Sequence, residues 1–212
     1  MAAIETPDLG PVRVGTPSLG PAVEPRRARP AVFLDRDGVL NEVVGAGNVA
    51  ASPLHVDDVR LAPLAAPAMG ALAAAGYTLV VVTNQPDVAR GEMSLDTAVA
   101  MTRYVVDSLG LDDGYVCPHD GPDRCPCRKP KAGLLDRAAV DWTIEMTNSW
   151  LIGDRWVDIG AATAAGVRSV LLERPYSWER AGGALPPADL EPSMSVISLD
   201  VAVEVVLSAQ LR

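Results

Sequence analysis

A short apolar run that ends in two acidic residues constrains the fold of this chain more than any other feature. Residues 31–34 are all apolar, and Asp35 and Asp37 follow directly, ahead of Gly38. Such a run predicts a buried strand, and because side chains alternate along a strand, both carboxylates leave its carboxyl end on the same face. Open α/β sheets bind ligands at that end. Taken alone, the acidic pair is equally consistent with a turn that closes a core strand.

Strand and helix patterns alternate from residue 31 onward. This alternation predicts an α/β fold, a Rossmann-like parallel sheet sandwiched by helices. Strands are predicted at residues 31–34, 78–83, 115–116, 150–152, 169–172 and near 196–197. Helices are predicted at about residues 65–75, 94–109, from 132, at 158–165 and from 199.

The first thirty residues have a different composition. They contain six prolines and no hydrophobic periodicity, so residues 1–30 are predicted to form a disordered arm ahead of one domain at residues 31–212. The arm lacks the apolar core of a signal peptide, which favours a cytoplasmic protein.

The charge of the chain restricts its partners. The net charge of −9 argues against nucleic acid, and no run rich in lysine or arginine suggests a membrane surface. We therefore expect a monomer whose partners are small molecules and metal ions.

Further polar residues follow other predicted strands. Thr83 and Asn84 end the second strand and offer neutral groups that can hold phosphate oxygens, whereas Asp154 ends the fourth. Two close carboxylates such as those of Asp35 and Asp37 repel each other unless a cation lies between them, and oxygen ligands suit Mg²⁺. Asp158 is either a further ligand or the acid that begins a helix.

The order of these residues resembles the motifs of a known superfamily. In chain order, Asp35 with Asp37, Thr83, Lys129, and Asp154 with Asp158 resemble the four motifs of the haloacid dehalogenase (HAD) superfamily of phosphatases, over residues 31–172. Residues 35–41, 83–85, 89–91 and 127–130 resemble the branch that holds heptose bisphosphate and histidinol-phosphate phosphatases. The connections at residues 42–63 and 84–113 are too short for a large cap domain.

The resemblance implies a role for each motif residue. Asp35 would be the nucleophile that forms an aspartyl phosphate, and Asp37 the general acid and base. Thr83 and Lys129 would hold the phosphoryl group, and Asp154 would complete a Mg²⁺ site with Asp35 and the Asp37 carbonyl. For this chemistry we expect a low pKa for Asp35 and a raised pKa for Asp37, which must protonate an alkoxide leaving group. Mn²⁺ and Co²⁺ are alternatives to Mg²⁺.

All three cysteines of the chain lie within one short loop, residues 117–127. Cys117, Cys125 and Cys127 are joined there by His119, one of only two histidines. This spacing predicts a closed tetrahedral zinc site with a structural role, which would stiffen the loop that carries Arg128 and Lys129. The alternative is three reduced thiols beside a surface histidine. The other histidine, His55, stands alone and is interpreted as a loop or packing residue.

The substrate is inferred from the resemblance. Together with Asn84, the residues Arg90 and Arg128 are candidate contacts for a doubly phosphorylated sugar. Alternatively, Arg90 pairs only with an acid such as Glu92, and Arg128 only braces the zinc loop. The implied activity is Mg²⁺-dependent hydrolysis of D-glycero-D-manno-heptose 1,7-bisphosphate at the 7-phosphate. Two other substrates stay open, namely histidinol phosphate and some other small phosphometabolite. An alternative of another class is a catalytically silent, zinc-stabilised binding module.

Overall fold

A central β-sheet organises the structure, which is a computed structural model that describes residues 10–15, 28–45 and 50–210. Within these ranges the sheet has seven strands in the order β1-β4-β3-β2-β5-β6-β7, and only β1 runs antiparallel to its neighbour. The strands are β1 Val12–Arg13, β2 Ala31–Leu34, β3 Thr78–Asn84, β4 Asp113–Cys117, β5 Trp150–Gly153, β6 Arg168–Leu172 and β7 Met194–Val196.

The described residues also form six α-helices, five between strands and one after β7. They are α1 Ala65–Ala74, α2 Pro86–Ala89, α3 Leu95–Leu109, α4 Gly133–Trp142, α5 Trp156–Ala165 and α6 Leu199–Ala209. The predicted helices and strands are confirmed to within a few residues. For example, Ser94 caps α3 by accepting a hydrogen bond from the Thr97 backbone N–H. No separate cap domain is inserted in the described parts of the connections after β2 and β3. None of the described helices is both long and apolar enough to cross a membrane.

The core has two layers because successive strand residues face opposite sides of the sheet. Val32 and Leu34 of β2 pack into the layer that includes Met69 of α1, whereas Phe33 packs with Leu134 of α4. Helices α1, α3 and α6 cover the first face, and α4 and α5 cover the second. Both faces are buried, which is the expected environment of a parallel sheet with continuous apolar strands.

The order of the strands places a ligand site beside β2. This strand lies between β3 and β5, with Leu34 paired to Val81 on one side and to Ile152 on the other. The chain therefore changes direction across the sheet at β2, and α/β sheets bind ligands at such a point. The residues that follow β2, β3 and β5 meet at the same edge.

Part of the proline-rich arm is ordered, contrary to the sequence-based expectation. Val12 and Arg13 form an edge strand against β4, and Arg13 Nε lies 2.5 Å from Oδ2 of the buried Asp113. This ion pair and the backbone pairing fix a segment whose composition alone predicts disorder. The prediction was wrong for residues 10–15 and for residues 28–30, where Arg29 forms a β-bridge with Ile144, while residues 1–9 and 16–27 lie outside the described residues.

Candidate functional site

A cavity of about 460 Å³ opens at the carboxyl edge of the sheet. Its walls come from the segments that follow β2, β3, β4, β5 and β6, and its volume suits a small molecule. The structure brings together eight residues singled out from the sequence, namely Asp35, Asp37, Thr83, Asn84, Arg90, Arg128, Lys129 and Asp154.

The ammonium group of Lys129 lies at the centre of this site. Lys129 is almost fully buried, and its Nζ lies 2.9 Å from Asp35 Oδ1 and 2.6 Å from Asp158 Oδ1. Nζ also donates to the Val82 carbonyl at 2.8 Å. Burial alone would lower the pKa of Lys129, but the charges of Asp158 and Asp35 raise it above its ordinary value. The lysine therefore stays charged and joins four segments of the chain.

Asp158 stabilises the start of helix α5 and also contacts Lys129 in the charged site. Its Oδ2 accepts a hydrogen bond from the Arg155 backbone N–H at 3.0 Å, at the beginning of α5. Its Oδ1 faces Lys129. The interpretation of Asp158 as a helix-starting acid is thus confirmed, and the same carboxylate is the second counterion of the lysine.

Three buried carboxylates lie close together, and two of them, those of Asp35 and Asp154, line the cavity. The possible ligand oxygens of Asp35, Asp154 and Asp158 all lie within 4.8 Å of one another. Asp154 Oδ1 is buried and has no hydrogen-bond partner among the described residues. Such an arrangement of oxygen donors fits a hard divalent cation.

The same crowding changes the ionisation of these acids. Burial raises the pKa of Asp35 to about 7, despite the neighbouring Lys129. Burial and the charge of Asp35 raise the pKa of Asp154 well above its usual range. The protein groups alone therefore do not give Asp35 the low pKa expected from the sequence, because one lysine faces three carboxylates. A bound cation would supply the missing positive charge.

Asp37 lies in an environment opposite to that of Asp35. Its carboxylate accepts hydrogen bonds from Arg36, Asn41, Ser52 and Gln85, at distances between 2.8 and 3.1 Å. Burial would raise the pKa of Asp37, but the charge and hydrogen bonds of Arg36, which is fully buried, lower it. The expectation of a raised pKa was wrong for this conformation, because four side chains stabilise the ionised form.

The end of β3 holds the lysine loop in place. Asn84 donates to the Lys129 carbonyl at 3.1 Å and accepts from the Lys129 backbone N–H at 3.0 Å. Both kinds of polar atom in the Asn84 amide are thus used to position Lys129, and its contact with substrate stays a prediction. The hydroxyl of Thr83 accepts a hydrogen bond from Gln85 Nε2 at 2.9 Å, which leaves its hydrogen free to point into the cavity.

The four sulfur and imidazole groups of the cysteine loop converge, as the sequence predicts. Cys117, His119, Cys125 and Cys127 are buried, and their possible ligand atoms all lie within 4.8 Å of one another. The Sγ atom of Cys127 lies 3.3 Å from that of Cys117 and 3.5 Å from that of Cys125. Ligands of a tetrahedral zinc ion lie about 3.8 Å apart. The residues fit a zinc ion with no open coordination position.

Two arginines on the cavity wall share one acid. Arg90 Nε donates to Asp120 Oδ2 at 2.8 Å, and Arg128 Nη2 lies 3.6 Å from Asp120 Oδ1. Arg90 also pairs with Asp87, and Arg128 donates to the His119 carbonyl at 2.9 Å. Arg128 thus braces the cysteine loop and also lines the cavity. Although burial opposes it, the Arg90 hydrogen bond lowers the pKa of Asp120, so this acid is ionised between two cations.

Sequence reasoning missed several residues of this site. Ser52, Arg155, Tyr176 and Arg180 line the cavity, and Tyr176 donates to Asp154. Ser52 and Tyr176 lie in irregular segments with no periodicity, so their position depends on how the connections fold. The only available signal was the position of Tyr176, which follows Pro175 and lies four residues after the predicted strand at residues 169–172.

We expect Lys129→Met to reduce the free energy of unfolding by about 3–5 kcal/mol at pH 8, because two buried carboxylates lose their counterion. The loss should shrink toward pH 5. The pKa values of Asp35 and Asp154 are raised in the folded protein, so the folded variant binds protons before the unfolded chain does and regains stability as pH falls. Urea denaturation in magnesium-free buffer measures both values.

Lys131→Met is the matched control for this experiment. It removes the other lysine of the chain, which is exposed and should change stability by less than about 1 kcal/mol. An equal loss at pH 5 and pH 8 for Lys129→Met would show that the lysine does not neutralise the carboxylates.

Comparison with known proteins agrees with this geometry. A family model described as HAD-hydrolase-like matches residues 126–175. The D-glycero-beta-D-manno-heptose-1,7-bisphosphate 7-phosphatase of Haemophilus ducreyi is 38% identical over 156 residues, which are 68% of this chain and 82% of that protein. The histidine biosynthesis bifunctional protein HisB of Legionella pneumophila is 30% identical over 185 residues, which are 85% of this chain and 51% of that protein.

A solved structure shows the same fold. The D,D-heptose 1,7-bisphosphate phosphatase from B. bronchiseptica, complexed with magnesium and phosphate, aligns with a TM-score of 0.65 and 27% identity, and the match covers 85% of this chain and 99% of that one. These similarities agree with the buried lysine–carboxylate site at the carboxyl edge of the sheet. The chain belongs to the HAD superfamily of phosphatases, in the branch that contains the heptose bisphosphate phosphatases.

Proposed function

We propose that this enzyme hydrolyses D-glycero-D-manno-heptose 1,7-bisphosphate at the 7-phosphate, with Asp35 as the nucleophile. The observation that carries the proposal is the cluster around Lys129, in which a buried cation holds an oxygen of Asp35 beside an open cavity. The names of the relatives that are 38% identical support the choice of substrate.

Asp35, Asp154 and the carbonyl of Asp37 are the groups that would hold Mg²⁺. The convergent carboxylates and the unpartnered Asp154 Oδ1 support this assignment, as does the magnesium in the structure of a relative. When bound, Mg²⁺ supplies the positive charge that keeps Asp35 ionised and that neutralises the phosphate. Mn²⁺ and Co²⁺ have the same preference for oxygen ligands and are alternatives.

The side chains of the cavity account for both halves of the reaction. A carboxylate oxygen of Asp35 bonds to phosphorus while the bond from phosphorus to the sugar oxygen breaks, and Asp37 gives that oxygen a proton. Thr83 and Lys129 donate to the phosphoryl oxygens. Water then attacks the phosphorus of the aspartyl phosphate and gives a proton to Asp37, while the bond from phosphorus to the Asp35 oxygen breaks and releases inorganic phosphate and the Asp35 carboxylate.

The surroundings of Asp37 favour the ionised form, which the second half of the proposed reaction needs. The ionised carboxylate, held by Arg36 and its other donors, can accept the proton of water. As the acid of the first half it needs a proton, and Arg36 opposes protonation. The proposal therefore requires that substrate binding weaken the stabilisation of the Asp37 carboxylate by Arg36.

A second phosphate has a matching surface on the cavity wall. Arg90 and Arg128 share the carboxylate of Asp120, Arg90 also pairs with Asp87, and both arginines face the cavity. Two guanidinium groups so placed can bind a phosphate through paired hydrogen bonds. This pair supports a bisphosphate substrate. Histidinol phosphate, which has a positively charged amine in place of a second phosphate, fits less well, although the similarity to HisB keeps it as the second candidate.

We also propose that Cys117, His119, Cys125 and Cys127 bind a structural zinc ion. The closed set of buried ligands leaves no position for substrate, and the next two residues are Arg128 and Lys129. The zinc would therefore fix the backbone that delivers these two cations to the cavity.

The proposed setting of the enzyme follows from the sequence. Residues 31–212 would be the phosphatase domain of a cytoplasmic monomer that acts on a small phosphorylated sugar, without a nucleic acid or membrane partner. The net charge of −9 and the three clustered free cysteines support this proposal.

Phosphate release from a panel of substrates tests the proposed activity. The panel contains heptose 1,7-bisphosphate, histidinol phosphate and common sugar monophosphates, each with and without added Mg²⁺. We expect selective, Mg²⁺-dependent turnover of the bisphosphate, and a loss of at least about 10³-fold in kcat for Asp35→Asn, because an amide is not a nucleophile.

The panel also separates the alternatives. Preference for histidinol phosphate would keep the mechanism and reject the heptose substrate. No turnover of any compound would reject the enzymatic proposal and favour the zinc-stabilised binding module.

Zinc analysis tests the role of the cysteine loop. The purified protein should contain about one zinc ion per chain, and Cys127→Ala should lose it because a thiolate ligand is removed. Elemental analysis gives the zinc content, and the thermal unfolding midpoint should fall with it. His55→Ala, which alters the other histidine, should keep the full zinc content. Zinc-free wild-type protein with full activity would contradict the proposal.

A further inference from the structure

The connection between β6 and β7 takes part in the site although it belongs to none of the motifs identified in the sequence. Tyr176, Arg180 and the turn at residues 181–184 line the cavity. Three hydrogen bonds fix the connection to the start of α5: from Ser177 Oγ to the Asp154 carbonyl at 2.6 Å, from the Trp156 backbone N–H to the Ser177 carbonyl at 2.9 Å, and from Trp156 Nε1 to the Glu179 carbonyl at 2.9 Å. It is thus a fixed wall of the cavity.

Tyr176 is the residue through which this wall reaches the carboxylate cluster. Its side chain is buried, and its hydroxyl donates a hydrogen bond of 2.8 Å to Asp154 Oδ2. The guanidinium carbon of Arg155 lies 5.5 Å from the centre of the Tyr176 ring. A charged group at this distance stacks favourably on an aromatic face, so the ring as well as the hydroxyl is held in position.

The hydrogen bond makes the two oxygens of Asp154 different. Oδ2 is bonded to Tyr176, whereas Oδ1 is buried without a partner among the described residues. The free oxygen belongs to the carboxylate group that clusters with Asp35 and Asp158. A carboxylate that can rotate presents either oxygen to a cation, and the tyrosine removes this freedom.

The turn after Asp37 limits the rotation of the Asp154 carboxylate from the opposite side. A Cβ atom added at Gly38 would lie 1.8 Å from Asp154 Oδ2 and 2.9 Å from the Tyr176 hydroxyl oxygen. Gly38 also has a φ of 80°, a conformation that favours glycine. The nucleophile motif, Asp154 and Tyr176 are therefore packed so closely that the orientation of Asp154 depends on all three.

We propose that Tyr176 is a positioning residue that orients Asp154 for the divalent cation. Its hydroxyl holds Oδ2, so that Oδ1 faces the cation beside Asp35. The inference rests on the proposed function, because that proposal makes Asp154 a ligand of Mg²⁺. Groups that orient metal-binding carboxylates from outside the coordination sphere typically change metal affinity 10- to 100-fold.

Titration with MgCl₂ by isothermal calorimetry, in the absence of substrate, tests this inference on the full-length zinc-loaded protein. Tyr176→Phe removes only the hydroxyl and keeps the ring beneath Arg155. We expect a Kd for Mg²⁺ about 10- to 100-fold higher than that of the wild type. Zinc content and the far-ultraviolet circular dichroism spectrum should be unchanged, which separates a positioning role from a loss of folding.

Tyr115→Phe is the matched control. Tyr115 is also buried, and its hydroxyl bonds to Asp141 Oδ2 at 2.9 Å on a different part of the fold. The Tyr115→Phe variant should bind Mg²⁺ with the same Kd as the wild type. Equal Mg²⁺ affinity in Tyr176→Phe and wild type would overturn the role of Tyr176 and leave the proposed function standing. A wild type that binds no Mg²⁺ would overturn both.

Discussion

The ion pairs of Lys129 hold the site of this protein together. One ammonium group contacts Asp35 after β2, Asp158 in α5 and the Val82 carbonyl in β3. The lysine itself follows the cysteine loop, and Asn84 fixes its backbone. Because all these groups are buried, removal of one would leave a charge in a medium of low polarity. The contacts of Lys129 therefore connect the sheet, helix α5 and the end of the cysteine loop. They also fix the carboxylate of Asp35, which faces the cavity.

Asp35 and Asp37, which are separated by one residue, have pKa values shifted in opposite directions by their surroundings. Burial raises the pKa of Asp35 to about 7, whereas Arg36, Asn41 and Gln85 lower that of Asp37 although burial opposes this. Pairs of acids with divergent environments are typical of sites in which one group attacks and another transfers protons. Asp35 faces Lys129, Asp154 and Asp158, and Asp37 faces Arg36 and Gln85, so mainly different groups set the charge of each. In the proposed mechanism a cation between Asp35 and Asp154 completes this balance.

The parts of the site that depend on the order of strands could be predicted from the sequence. Asp35, Thr83 and Asp154 each follow an apolar run, and a parallel sheet brings such positions to one edge. The zinc-type cluster was predictable because its four residues lie within one loop. The hydrogen bonds of Asp37 and Tyr176 could not be predicted, because they depend on the path of irregular connections. The edge strand at Val12–Arg13 was missed because its stability comes from the distant Asp113, which no local pattern reveals.

The claim that Asp35 accepts the phosphoryl group can be measured directly. The enzyme is mixed with its sugar bisphosphate and Mg²⁺, quenched in acid during turnover and reduced with borohydride, which converts an aspartyl phosphate to homoserine. Peptide mass spectrometry then locates the modified residue. The account predicts homoserine at position 35, in an amount that depends on substrate. Modification of another carboxylate, or turnover without modification at position 35, would contradict it.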